Sequence, residues 1–420
     1  MVSQLPGRVV HRLDFGLPRD VYVLQAGLVL NAFGNGAANP FMLLYLHNVR
    51  GIPLPVAGLA SATSATTALV AALVSGSFAD RLGPRSTMVA GLLMSAAGFA
   101  YYPFIHEAWQ AFPAAFLTGA GVGTWLTGQS ALLAAVTRPE VRAIAFAQQR
   151  VAANLGLGLG GFVGGVIVTT GDPSSFTRLF LLNAATFLVY IAFLMRLPTG
   201  APVQVAGEKP GSYRAVLRDP AFVRFALANF IWVAAAVALL NSLVPIFARN
   251  EGGVSEAAIG LLFLLNSLTI IAFQIPVARR QEGRRRARGL ALMSVLFAVA
   301  WLTLGLSGVL LQPAAAFAGF AVAILVLSLG ECLYDSIQGP LTADLAGERL
   351  RGRYMAVNGF SWQLGFILGP VLGALLMTIE PLAVWIAAAG ACLVGGAVAL
   401  RLEHRLPVPA RVTPVRIRPG

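Results

Sequence analysis

Polar residues in this chain gather in short clusters, and the apolar runs between them are each long enough to cross a bilayer as a helix. Twelve runs are expected, over 21–46, 56–78, 87–105, 111–136, 144–170, 176–195, 220–248, 257–277, 290–311, 314–338, 354–378 and 381–400. The alternating polar pattern of outer-membrane barrel strands is absent from the sequence, so each run is read as a helix that satisfies its own backbone. The expected fold is an all-α membrane protein with twelve transmembrane helices.

From Pro198 to Asp219 the pattern gives way to "PTGAPVQVAGEKPGSYRAVLRD", a Pro/Gly-rich polar linker. The expected organisation is therefore a six-helix half over 1–197, a linker over 198–219, a second half over 220–401 and a tail over 402–420. The halves are related. Shifting the first by 209 residues gives eleven identities in the 44 positions from Gly121 to Gly164. Among them Gly156, Gly160 and Gly164 fall on Gly365, Gly369 and Gly373. Glycine at every fourth position forms one small-residue helix face, which lets two helices approach closely in a membrane. A duplicated unit with a binding site between its copies is a transporter architecture.

Charge changes the picture in one respect. The net charge of +13 is compatible with nucleic acid, but its distribution is not. With alternating spans, 26 of the 30 Lys and Arg residues fall on the side that holds both chain ends. Arg50, Arg178 and Arg249 fall on the other, and Arg150 alone lies within a span. That bias predicts cytoplasmic termini and no nucleic-acid partner. The chain is 57% hydrophobic with a mean hydropathy of +0.76, as a membrane protein requires. Arg8, Arg12 and Asp14 interrupt the first residues, so no cleaved signal peptide is expected. Cys332 and Cys392 lie inside spans and read as apolar fillers. The sequence has no metal-ligand spacing, P-loop or nucleophile elbow, so neither enzymatic chemistry nor a cofactor is expected.

Two motifs carry a family resemblance. "GSFADRLGPR", between spans 2 and 3, matches the G-x-x-x-D-R-x-G-x-R loop of the major facilitator superfamily at Gly76, Asp80, Arg81, Gly83 and Arg85. "RVAANLGLGLGGFVGG" in span 5 resembles the glycine-rich motif of its drug/proton antiporter branch, with Gly161 replacing the usual proline. "GFSWQLGFILGPVLGA" in span 11 keeps that proline as Pro370. The span 4 arginine common in the branch is missing, and Thr118 stands near its place. The resemblance covers the whole chain. It implies two pseudo-symmetric halves working by alternating access: a bacterial cytoplasmic membrane protein and not an enzyme, acting as a monomer and exporting drug-like or metabolite molecules against protons. A nutrient facilitator or symporter, or a receptor on the same fold that no longer transports, are the alternatives. The resemblance further implies that Asp80 faces the start of span 11, near Gly352 to Met355, and holds the cytoplasmic gate shut. Helix N-termini favour a carboxylate. Arg81 and Arg85 would pair with nearby acids, Glu140 being one candidate. A degraded copy of the loop, "ARRQEGRRRARG", follows span 8 and is expected to anchor topology.

Polar residues inside spans are the remaining candidates. Asn31, Asn35 and Asn39 share one face of span 1, and unpaired amides at that depth call for a cavity or another helix. Trp125, Trp232 and Tyr334 lie on spans 4, 7 and 10, which line the central cavity in the superfamily. Glu331 and Asp335 are the two acids placed within a span. Counting from Pro340 as the helix end puts Glu331 about 13 Å deep, level with Arg150 at about 12 Å. A pair between Arg150 and Glu331 is expected, with Asp335 as a wetter relay. Such a pair is either a static tie between helices or a proton-linked switch.

Overall fold

The computed structural model describes residues 17–138, 141–197, 213–346 and 350–414, with their side chains except those of residues 80, 143, 351 and 409. All twelve expected runs are helical. They are α1 (Arg19–Leu44), α2 (Leu54–Leu82), α3 (Pro84–Tyr101), α4 (Ala111–Val136), α5 (Arg142–Ile167) and α6 (Pro173–Leu194) in the first half. In the second half α7 runs over Pro220–Trp232 and, through a π-turn at Val233–Val237, on to Ala238–Ser242. It is followed by α8 (Glu256–Gln281), α9 (Arg286–Leu310), α10 (Pro313–Leu345), α11 (Arg351–Ile379) and α12 (Pro381–Leu402). Ten of these are both long and apolar enough to span a membrane by composition alone. The other two, α1 and α4, are as long at 26 residues, but Asn, Gly and Thr dilute their apolar content. Most of the linker lies outside the described residues, which resume with a short helix, Tyr213–Leu217.

Helix ends are set by local chemistry. Proline opens α3, α6, α7, α10 and α12, where its missing N–H would have had no partner anyway. Asp172, Asp219 and Ser255 cap α6, α7 and α8 through their side-chain oxygens. Gly83 joins α2 to α3 at φ +84°, a left-handed conformation that explains glycine in the loop motif. One boundary differs from expectation. α10 does not stop at 338 but continues through Pro340 to Leu345, 33 residues in all. Membrane helices tolerate an internal proline where neighbouring groups satisfy the freed carbonyl.

The glycine faces pack as the repeat predicts. A methyl at Gly156, Gly160 or Gly164 of α5 would strike the carbonyls of Val29, Phe33 or Ala37 on α1. In the second half Gly365, Gly369 and Gly373 of α11 lie against Val233, Ala234 and Leu243 of the α7 region. The halves meet through a second glycine pair. Gly58 of α2 rests on Pro370, Val371 and Ala374 of α11, and Gly260 of α8 rests on Gly161, Phe162 and Gly165 of α5. Shifts of 202 and 209 residues turn one joint into the other, so they are pseudo-symmetry mates.

Both joints lie towards the end of the bundle away from the chain termini, here called the distal side. Asn48 there donates to Asn250 at 2.6 Å, again across a 202-residue shift. Buried Glu256 accepts from the Thr170 N–H at 2.9 Å and from its hydroxyl, and pairs with Arg249 at 3.2 Å. On the terminal side a methyl at Gly76, Gly339, Gly352 or Gly359 would meet open space. Among the described residues, the side-chain bonds between the halves lie at the distal end or in mid-bundle, and none lies at the terminal end. The loop after α8 is held within its own half. Gly283 donates its N–H to Thr413, Arg285 pairs with Glu403, and Arg286 pairs with Asp344 at the end of α10.

Candidate substrate and coupling site

The central cavity between the halves has a charged lobe of about 220 Å³ and an adjoining one of about 340 Å³. Arg150 of α5 donates to Asp335 of α10 at 2.6 Å and so bridges the halves. Glu331, one turn deeper, accepts from the Asn266 side chain of α8 at 2.7 Å, and the same amide reaches Ser328 at 2.9 Å. The expected Arg150–Glu331 pair is thus replaced by Arg150–Asp335. The reason is the length of α10. Measured from Leu345, Glu331 is about 21 Å deep and Asp335 about 15 Å, while Arg150 is about 12 Å from Arg142. Asp335 is the acid nearer the arginine's level.

Exposure decides what that pair is worth. The Arg150 side chain is 67% exposed, so water screens the bond and it contributes about 0–1 kcal/mol. It is suited to breaking and reforming rather than to clamping the fold. Glu331, on its neutral amide partner, keeps a face towards the cavity without a cation bound to it.

The other expected cavity residues divide. Asn35, Asn39 and Tyr334 line it. Asn31 does not. It is fully buried and takes the Asn35 amide on its side-chain oxygen at 3.1 Å. Trp125 is buried where α4 crosses Gly91 of α3, and Trp232 is buried against Gly395 of α12, so neither indole lines the cavity. Large aromatic rings in these helices serve helix packing. Tyr334 also anchors a chain of hydrogen bonds, donating to Asn229, whose amide donates to Ser361 of α11 at 2.7 Å. Asn154, Asn241, Asn266, Trp362 and Gln363 line the cavity without having been expected there.

The profile of the major facilitator superfamily matches residues 25–253 and again 233–418. The chain belongs to the major facilitator superfamily. Its relatives include Multidrug resistance protein MdtH of Salmonella arizonae, 29% identical over 306 residues, 71% of this chain and 70% of that one. MdtH of Salmonella newport is 28% identical over 302 residues, with the same shares covered. Among solved structures, a peptide transporter POT bound to sulfate superposes with a TM-score of 0.76 at 16% identity, covering 93% of this chain and 96% of that one. A mutant of nucleoside transporter NupG gives 0.76 at 12%, covering 91% and 100%. These likenesses are of fold.

As a major facilitator the protein is a transporter and not an enzyme; it sits in a lipid bilayer and has a small-molecule substrate. Of its loop motif, Arg85 donates to the carbonyl of Leu197 at 2.7 Å and so caps the end of the first half's last helix. The expected acid partner Glu140 and the Asp80 side chain lie outside what is described.

Proposed function

We propose that this transporter couples export of drug-like small molecules to protons by alternating access, with residues 1–197 and 220–401 as its two moving halves. The positive-inside bias supports the terminal side as cytoplasmic, so the state in hand would be inward-open, in a bacterial cytoplasmic membrane. The carrying observation is the Arg150–Asp335 bridge between halves with Glu331 one turn deeper in the same cavity. An intramembrane carboxylate without a cation partner is a functional site by default. Closing the terminal side would bring the arginine and both acids into a smaller space, where a proton and the Arg150 cation would compete for the same carboxylates. Kinship at 28–29% identity to proteins called multidrug resistance proteins supports the export reading. Asp80, Arg81, Gly83 and Arg85 would form the terminal-side gate. A single chain holds the complete cavity, which fits a monomer.

The test is flux in liposomes of purified protein, with and without an imposed pH gradient. Gradient-driven drug uptake that Glu331→Gln abolishes while leaving drug binding intact is the expected result. Equal flux with and without the gradient would mean a facilitator, and no flux in either would mean a receptor. Cysteine labelling from the cytoplasmic side should reach 79–86 and 279–288.

A further inference from the structure

The two lobes of the cavity are built from corresponding helices. The charged lobe lies among α5, α8 and α10, and the adjoining lobe among α11, α2 and α4. The repeat shifts that relate the glycine joints also relate the linings. Asn39 falls on Asn241 and Ser64 on Asn266 at 202 residues, while Asn154 falls on Gln363 at 209. By that same shift Glu331 corresponds to Val122, which lines the adjoining lobe, and Arg150 corresponds to Gly359. One ancestral lobe has kept or gained its charges, and its mate has none.

What the neutral lobe offers instead is uncharged hydrogen-bonding groups, amides and hydroxyls that both donate and accept. Asn241 spends one amide N–H on Val237 at 2.9 Å, and Gln363 spends one on Ala65 at 3.4 Å, which leaves each a second N–H and its carbonyl oxygen. Among the described residues, the side chains of Asn39, Ser61 and Ser64 have no protein partner. Unpaired polar groups this deep in a membrane protein are costly unless water or a ligand satisfies them. Phe99 and Phe366 supply apolar walls. At about 340 Å³ the lobe falls within the range of small-molecule pockets.

We infer that the neutral lobe is the site for the substrate's body, and that it takes an uncharged aromatic molecule rich in hydrogen-bonding groups. The charged lobe is left to ionisable chemistry. This rests on the transport reading, but binding at constant pH tests it separately. Two probes suffice, radiolabelled chloramphenicol, a neutral aromatic amide with two hydroxyls, and tetraphenylphosphonium, a cation with no donors. Binding is measured to full-length protein in lipid nanodiscs, without a gradient. Wild type should bind chloramphenicol the more tightly. Ser64→Ala combined with Gln363→Leu should weaken chloramphenicol by about tenfold and the phosphonium by less than about threefold. Val122→Glu, which restores an acid where the mate has one, should strengthen the phosphonium and weaken chloramphenicol, a gain that misfolding cannot imitate. The inference is overturned if wild type does not bind chloramphenicol, if the double variant binds it within about twofold of wild type, or if both probes lose equally. Loss of pH-driven flux with these binding results intact would instead count against the coupling scheme alone.

Discussion

Glu256 is the single carboxylate seen to join the two halves on the distal side among the described residues, and Glu256→Gln isolates its charge. The side chain is 8% exposed and receives the Thr170 N–H at 2.9 Å, the Thr170 hydroxyl, and Arg249 at 3.2 Å. Thr170 belongs to the first half, Arg249 and Glu256 to the second. Hydrogen bonds to a charged group contribute about 1.5–3 kcal/mol, and neutral ones about 0.5–1.5. Glutamine keeps the neutral share for Thr170. Arg249 is 36% exposed, so its part is screened and small. The variant should therefore lose roughly 1–2 kcal/mol of distal closure, which moves the equilibrium towards the distally open state by about 5- to 30-fold. Spin labels at His106→Cys and Gln312→Cys, in a background without Cys332 and Cys392, report the distal separation by pulsed electron resonance. The long-distance population should grow in Glu256→Gln. Identical distance distributions in the variant and its parent would refute the argument that this contact biases the conformation.

Other perturbations separate packing from gating. Gly160→Ala drives a methyl into the Phe33 carbonyl and should cost about 1–3 kcal/mol, seen as a lower melting temperature. Gly76→Ala meets open space in this state and should melt normally, yet transport slowly if that face packs when the terminal side closes. Asp80→Asn should impair transport at near-normal abundance and make cavity cysteines more reactive from the terminal side; unchanged transport and labelling would reduce the loop to an anchor. Because Arg150 is largely exposed, Arg150→Ala should shift stability by no more than about 1 kcal/mol, with or without Asp335→Asn, as thermal unfolding can check.

Helix number, the repeat and the glycine faces were legible because each depends on a periodic property of the sequence, apolar length or small residues every fourth position. Depth was less so. Pro340 reads as a helix stop, and only the packed structure shows α10 continuing to Leu345, which exchanged Glu331 for Asp335 as the partner of Arg150. Trp125 and Trp232 were misread because a large ring at mid-span packs between helices as readily as it faces a cavity. Asn241 and Gln363 could have been found by carrying Asn39 and Asn154 through the same repeat that aligned the glycines. Asn266, which holds Glu331, follows from Ser64 in that way only by position, since the residue type changes. Glu256 gave no signal, for a carboxylate at a helix start is ordinarily a solvated cap.

The most direct measurement of the central claim follows protons rather than drug. Liposomes containing the purified protein and a trapped pH-sensitive dye, with no imposed gradient, are given chloramphenicol on one side. Coupled exchange predicts a change in internal pH that begins on drug addition, scales with the drug gradient and vanishes in Glu331→Gln. Drug entry in the wild-type protein without any change in internal pH would contradict proton coupling.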